Sequence, residues 1–162
     1  MKLTSANLPT EYGTFKVLVY KSKDDLEHTV LLRRGKSNIP FLIRVHSSCL
    51  TGDIFSSLKC DCRDQLVMSL KKIGKTKNGA LIYLNQEGRG IGLTNKIKAY
   101  ALQDQGFDTI QANEKLGLKT DLRDYQIAAQ ILKDLKINSI ILLTNNPDKI
   151  SQLNKHGIKV IR

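Results

Sequence analysis

Three cysteines, Cys49, Cys60 and Cys62, crowd into fourteen residues, and the 162-residue chain contains no others. An odd number packed this tightly makes a poor disulfide framework, so metal or redox chemistry is the better reading. Three thiolates suit zinc. A site with three protein ligands leaves one coordination position for water, whereas closed structural sites normally take four. His46 is the only nearby residue able to close it. A Cys-x-Cys pair just ahead of a helix also places thiolates at a positive helix N-terminus, which favours their charged form. Buried cysteines packing as small hydrophobes are the plain alternative; Asp53, Asp61 and His46 beside the cluster favour metal. Three thiolates weaken zinc as a Lewis acid, so such a site needs a nearby base and positively charged surroundings.

Gln86–Gly92 (QEGRGIG) reads as a strand-to-helix turn. Its glycines let the backbone approach a phosphate, the following helix start offers free N–H donors, and Arg89 can fork onto phosphate oxygens. The spacing is neither the dinucleotide fingerprint nor a Walker loop, and an ordinary turn explains it equally well. Asp121-x-Arg123-Asp124-Tyr125 sits where a helix is expected to start, and from spacing alone Asp121 reads as its N-cap. Thr144-Asn145-Asn146-Pro147-x-Lys149 follows an apolar run, at the strand end where α/β sheets commonly bind ligands.

The elements that must position these residues are legible from periodicity. Gly13–Tyr20, Glu27–Arg33 and Ile39–His46 read as strands with polar breaks between them, and short connections favour antiparallel neighbours. A helix is expected over Asp61–Lys72, a strand over Ala80–Asn85, and a helix over Leu93–Gln105 ending at Gly106. Asp121–Leu135 reads as a second amphipathic helix, Ser139–Thr144 as a buried strand, Pro147 as the first turn of a short helix, and Lys159–Ile161 as a last strand. The fold class expected is α/β: a single domain over residues 1–162 with a mixed β-sheet, antiparallel N-terminal strands and an alternating β/α C-terminal part.

Composition is that of an ordinary soluble globular protein, 41% hydrophobic and 25% charged. No apolar run reaches the roughly 18–20 residues of a membrane span, and the start Met1–Ser5 carries no secretory pattern, so the cytoplasm is the expected compartment. The net charge of +11 fits a polyanionic partner, but lysines outnumber arginines 19 to 7 and are scattered without a block of five like charges. A basic zinc-binding nucleic-acid module would use the charge and the cysteines. It leaves Gln86–Gly92 and Asp121–Arg123 without a purpose, lacks a fourth cysteine, and has few aromatics for stacking bases. Neither nucleic acid nor membrane is therefore expected as a partner.

Read in order, RVHSSCLTGD (44–53), SLKCDCRDQL (57–66), NQEGRGIGLTNKIKAYALQDQGFDT (85–109), Ala112-Asn113, LGLKTDLRDY (116–125) and LLTNNPDK (142–149) resemble GTP cyclohydrolase II over nearly the whole chain. The resemblance implies one zinc per chain on Cys49, Cys60 and Cys62. It implies GTP contacts from Arg44, Val45, His46, Ser47 and Ser48, from Gln65, from Glu87, Gly88 and Arg89, and from Thr109, Thr144 and Lys149. It assigns Asp121 as proton acceptor, Arg123 as the group taking the phosphoryl when pyrophosphate leaves, and Tyr100 as a residue acting near the metal-bound water. The implied reaction is zinc-dependent hydrolysis of GTP. Water attacks C8 of guanine, the imidazole ring opens, formate and pyrophosphate depart, and a diaminopyrimidinone ribosyl phosphate enters riboflavin biosynthesis. Magnesium with the triphosphate and a homodimer are also implied. A guanidinium stays protonated far above neutral pH, so a clamp on developing charge uses Arg123 more naturally than nucleophilic attack does.

Three positions depart from the family pattern. Ser48 stands where glutamate is usual and Lys59 where arginine is usual, and the sequence ends at Arg162 where relatives commonly continue. The Ser48 departure leaves open a GTP-binding paralogue with partial hydrolysis that retains the formyl group.

Overall fold

β-Branched and aromatic residues build the sheet, with burial alternating along residues 13–21 and 27–34 and nearly continuous along residues 78–84 at its centre. The computed structural model describes residues 1–36, 38–119 and 121–161. Its strands are β1 (Lys2–Thr10), β2 (Gly13–Lys21), β3 (Glu27–Arg34), β4 (Phe41–Ser47), β5 (Asn78–Leu84), β6 (Ser139–Leu142) and β7 (Lys159–Ile161). They form one mixed sheet in the order β1-β2-β3-β5-β4-β6-β7. The N-terminal strands pair antiparallel, as expected, and β5, β4, β6 and β7 run parallel to their neighbours in that part of the sheet. One expectation fails. β3 and β4 are not neighbours despite their short connection, because β5 inserts between them, antiparallel to β3 and parallel to β4.

Pairing explains what each face carries. Ile43 and Val45 of β4 lie beside Ala80 and Ile82 of β5, while Arg44 and His46 lie beside Leu81 and Tyr83. The first set joins Leu18, Val30 and Leu32 in the larger core, closed by α4 (Gln126–Asp134) and α5 (Pro147–Lys155). On the opposite face Phe15 and Leu81 pack with Ile73, Leu66 and Leu70 of α1 (Cys62–Gly74). Both faces of the central strands are thus covered, as parallel strands require. Arg44 and His46 are polar residues buried within that layer.

Three elements differ from expectation. β1 and α3 (Thr109–Lys115) are additional. The helix expected from Asp121 starts instead at Gln126, and the five residues before it carry no helical turn. Leu122 N there donates to Arg89 O at 2.9 Å, and Asp124 Oδ1 accepts from Gln126 N at 2.8 Å, so Asp121 is no N-cap. By contrast Pro147 does occupy the first turn of α5, which Asn146 caps by accepting from Asp148 N. α2 (Gly92–Gln103) follows the glycine turn. Thr120, inside the LGLKTDLRDY stretch, and Arg162 lie outside the described residues. Among the described residues no helix is long and apolar enough to cross a membrane.

The parallel strands β4, β5 and β6 aim their carboxyl ends the same way. The cysteine loop leaves β4, the Gln86–Gly92 turn leaves β5, and the Thr144–Lys149 segment leaves β6. Three segments far apart in sequence therefore meet at one edge of the fold, where open α/β sheets bind ligands.

Candidate active site

After Cys49 the chain makes one π-helical turn, Leu50–Ile54, that folds Asp53 back beneath the cysteine. Asp53 Oδ2 accepts from Cys49 N at 3.1 Å and from Tyr83 Oη at 2.7 Å, and His46 Nε2 lies 3.0 and 3.2 Å from the two carboxylate oxygens. His46 stacks on Tyr83 with ring centroids 5.5 Å apart, and Arg63 Nη1 donates to Asp53 O at 2.7 Å. Burial works to raise the Asp53 carboxyl, but the bonds from His46 and Tyr83 outweigh it and hold the group below its ordinary range. Burial, and then the Asp53 carboxylate, push the Tyr83 hydroxyl well up. His46 therefore anchors the loop through Asp53 and does not complete the metal cluster.

That cluster is Cys49, Cys60 and Cys62, all free thiols, with sulfur atoms within 4.8 Å of one another and Cys49 Sγ 3.6 Å from Cys60 Sγ. Gly52 makes the convergence possible. A Cβ there would stand 2.7 Å from Cys60 Sγ, 2.9 Å from Cys62 Cβ and 3.1 Å from Cys49 Sγ, so any side chain would push the ligands apart. Burial, and then the neighbouring sulfurs, drive the Cys62 thiol far above its ordinary range. Packing three such groups together is unfavourable for thiolates alone and favourable once a cation shares them. The group can hold a metal ion.

The second wall of the site is Glu87–Gly90, a short 3₁₀ turn in which Gly88, Arg89 and Gly90 take φ of 61°, 59° and 91°. Arg89 is a non-glycine residue in the left-handed region, a strained conformation of the kind that clusters at ligand sites. Glu87 staples the turn to the cysteine loop: Oε2 accepts from Leu50 N at 2.7 Å and Oε1 from Gly88 N at 3.0 Å. Lys96 of α2 reaches across to both walls, with Nζ 3.0 Å from Cys49 Sγ and 2.8 Å from Glu87 Oε1.

A third group of side chains is cationic. Arg44 donates through Nη1 to Leu143 O at 2.9 Å and through Nη2 to Gln65 Oε1, while its Nε is buried without a partner among the described residues. Lys149 is 4% exposed; its Nζ donates to Val45 O at 2.8 Å and lies 5.1 Å from the centre of the Tyr125 ring. Burial, reinforced by the nearby Arg44 and Arg123 charges, lowers the Lys149 ammonium to about 7. Arg123 pairs with Asp121 through Nε at 2.9 and 3.1 Å and through Nη2. The pairing raises the Arg123 guanidinium and holds the Asp121 carboxyl below its ordinary range against the effect of burial. Arg44 and Lys149, buried cations with no ion pair among the described residues, make a site for an anion.

Residues 1–162 match the family model described as GTP cyclohydrolase II. The chain belongs to the GTP cyclohydrolase II family. It is 51% identical to the GTP cyclohydrolase-2 of Picrophilus torridus, over 98% of this chain and 83% of that one. It is 53% identical to the riboflavin biosynthesis protein RibBA of Aquifex aeolicus and 50% identical to that of Chlorobium phaeovibrioides, covering 99% of this chain and 40% of each relative. Among solved structures it superposes on RibBX, a two-domain 3,4-dihydroxy-2-butanone 4-phosphate synthase from A. baumannii, with a TM-score of 0.57 over 100% of this chain and 40% of that one. At 19% identity this likeness is one of fold alone.

In this GTP cyclohydrolase II domain the residues singled out from sequence fall on two adjoining cavities. One, of about 380 Å³, is lined by the three cysteines, Ser48, Glu87, Gly88, Arg89, Tyr100 and Thr109. The other, of about 710 Å³, is lined by Arg44, His46, Thr144 and Lys149. Ser47, Asp61, Cys62, Gln65 and Arg123 line both and form the shared wall. Two residues stand apart. The Val45 side chain is in the core, leaving only its carbonyl, committed to Lys149, and Asp121 reaches the wall through Arg123. Sequence reasoning missed Lys96 and the Tyr83–Asp53 anchor, because each acts on a residue at least 30 positions away and neither interrupts the local pattern. Ser48 Oγ accepts from Gln86 N at 3.1 Å, and Lys59 pairs with Asp104 at 2.6 Å beside the Tyr100 ring, so both departures are structurally integrated.

Proposed function

We propose that this chain, as a single catalytic domain, hydrolyses GTP with one zinc ion, opening the guanine imidazole ring and releasing formate and pyrophosphate for riboflavin biosynthesis. The observation that carries the reading is the shared wall: a cysteine cluster able to hold a metal and a compartment lined by Arg44, Arg123 and Lys149 adjoin through Asp61, Cys62, Gln65 and Arg123. A base placed at the cysteines would leave its triphosphate among Arg44, Arg123 and Lys149. Three convergent sulfurs with an open side fit zinc, which when bound would supply a Lewis acid for water addition at C8. Magnesium would accompany the triphosphate, and a cytoplasmic homodimer is proposed as the working form.

The chain's own groups then divide the work. Glu87, Gly88 and Arg89 approach the nucleotide from the left-handed turn, with Ser47, Ser48, Gln65 and Thr109 around it. Thr144, Lys149 and Arg44 hold the phosphates. Tyr100 faces the metal compartment as a proton donor near the reacting carbon. Arg123 serves as a forked clamp at the phosphoryl group. Asp121 is a weak base while Arg123 grips it, so accepting a proton requires Arg123 to turn toward phosphate first. Incubation with GTP, zinc and magnesium, with formate and pyrophosphate assayed separately, tests the reading. Both products are expected. Pyrophosphate without formate would identify the partial enzyme that Ser48 leaves open, and neither product would defeat the assignment.

Lys149 adds a pH dependence. In the free protein its ammonium titrates near 7, and a bound triphosphate favours the charged form. Above pH 7 binding must therefore take up a proton, and below it need not. GTP affinity is expected to weaken by up to about tenfold per pH unit above 7. Titration calorimetry with a non-hydrolysable GTP analogue, in buffers of different ionisation enthalpy, should show proton uptake at pH 8 and little at pH 6. Equal heats in both buffers at pH 8 would remove Lys149 from the phosphate site.

A further inference from the structure

We propose that Lys96 is a positioning residue of the metal site, a fixed counter-charge that offsets one of the three thiolates and locks Glu87 against the cysteine loop. The inference rests on the zinc reading above and adds a residue to it. Lys96 is 9% exposed, and its ammonium is shared between Cys49 Sγ at 3.0 Å and Glu87 Oε1 at 2.8 Å. Burying a lysine is costly unless it is paired, and both of these partners are anionic when the site is loaded. Glu87 in turn grips Leu50 N, the amide that follows Cys49. One ammonium thus joins α2, the glycine turn and a metal ligand.

The charge count explains why such a residue is useful. A divalent ion with three thiolates is net negative, and each thiolate donates electron density that lowers the acidity of the ion. A hydrogen bond from an ammonium to Cys49 Sγ withdraws part of that density, and its charge offsets the excess negative charge that the thiolates leave on the ion. Without it, the Glu87 carboxylate would face the Cys49 thiolate uncompensated and the turn would move away. The closeness of the packing fits this role, since a Cβ added at Gly88 would come 3.2 Å from Lys96 Cβ.

Cobalt reports on the site directly, because thiolate-to-cobalt charge transfer reads the electron density on sulfur. Wild type, Lys96→Met and Lys96→Arg are titrated with cobalt(II), with folding checked by far-ultraviolet circular dichroism. Lys96→Met is expected to shift the charge-transfer band to lower energy and to weaken metal affinity about 10–100-fold. In the zinc form, formate release should fall by a similar factor while pyrophosphate release is largely kept. Lys96→Arg should return the band toward the wild-type position. If Lys96→Met does not fold, Lys96→Gln carries the same expectations. An unshifted band and unchanged affinity in the neutral variant would overturn the role of Lys96 while leaving the metal site intact. Wild type that binds no cobalt would overturn both.

Discussion

Cys60→Ser is expected to yield a folded protein that binds no stoichiometric zinc and releases no measurable formate from GTP, yet still liberates some pyrophosphate. The fold survives because Cys60 is only partly buried and belongs to neither core, so removing its sulfur opens no cavity in the sheet packing. The metal does not survive, because two sulfurs remain of a three-ligand set and His46 is tied to Asp53. Lewis-acid activation supplies several kcal/mol, so formate release should fall about a thousandfold or more. Arg44, Lys149 and Thr144 line the neighbouring cavity without help from Cys60, so the triphosphate proposed to sit there is expected to stay bound. Metal content by mass spectrometry and separate product assays check the result. Full formate release from metal-free protein would defeat the zinc assignment.

Arg123→Ala should be as damaging by a different route, with pyrophosphate and formate both lost. Arg123 lines both cavities and, among the described residues, is the group there that pairs with Asp121. Truncation removes the fork and leaves Asp121, whose carboxylate then repels the phosphates it had been shielded from. Losing one preorganised donor to developing charge typically costs about 10²–10³ in rate, and the exposed carboxylate adds to that. Arg123→Lys should recover only part, since a point charge cannot make the bidentate contact. Zinc content should stay at the wild-type level in both variants, which separates this effect from that of Cys60→Ser. Normal turnover by Arg123→Ala would show that the phosphoryl site lies elsewhere.

How much of this was readable depends on the distance over which each feature is decided. β2, β3 and β4 are legible from β-branched and aromatic residues set between polar breaks, because that signal is local. The insertion of β5 between β3 and β4 did not, because strand order is settled by non-local packing on both faces. β1 escaped notice since its residues are exposed almost throughout, which removes the alternation, and Pro9 argues against a strand. α3 is short and weakly apolar, but its start was visible: Asp108 and Gln111 form a reciprocal capping box. The start of α4 was misplaced because Asp121 and Asp124 both look like caps, and only the bond from Leu122 to Arg89 reveals that the first is held elsewhere. At the site, the cysteines were legible from spacing alone. The residues proposed to hold phosphate are named by the family resemblance alone, and Lys96 by neither.

The bond from Leu122 N to Arg89 O has one further consequence. Gly90 lies so close to this segment that a Cβ would come within 3.0 Å of Leu122 Cβ and 3.2 Å of its carbonyl. The glycine turn and the stretch carrying Asp121 and Arg123 are therefore fitted to one another, although thirty-odd residues separate them in the chain. Loops exchanged between relatives one at a time would inherit half of a mated pair. Recombination that respects the pair would have to carry both, so crossover points for building hybrid enzymes belong before Gln86 and after Tyr125, and not between them.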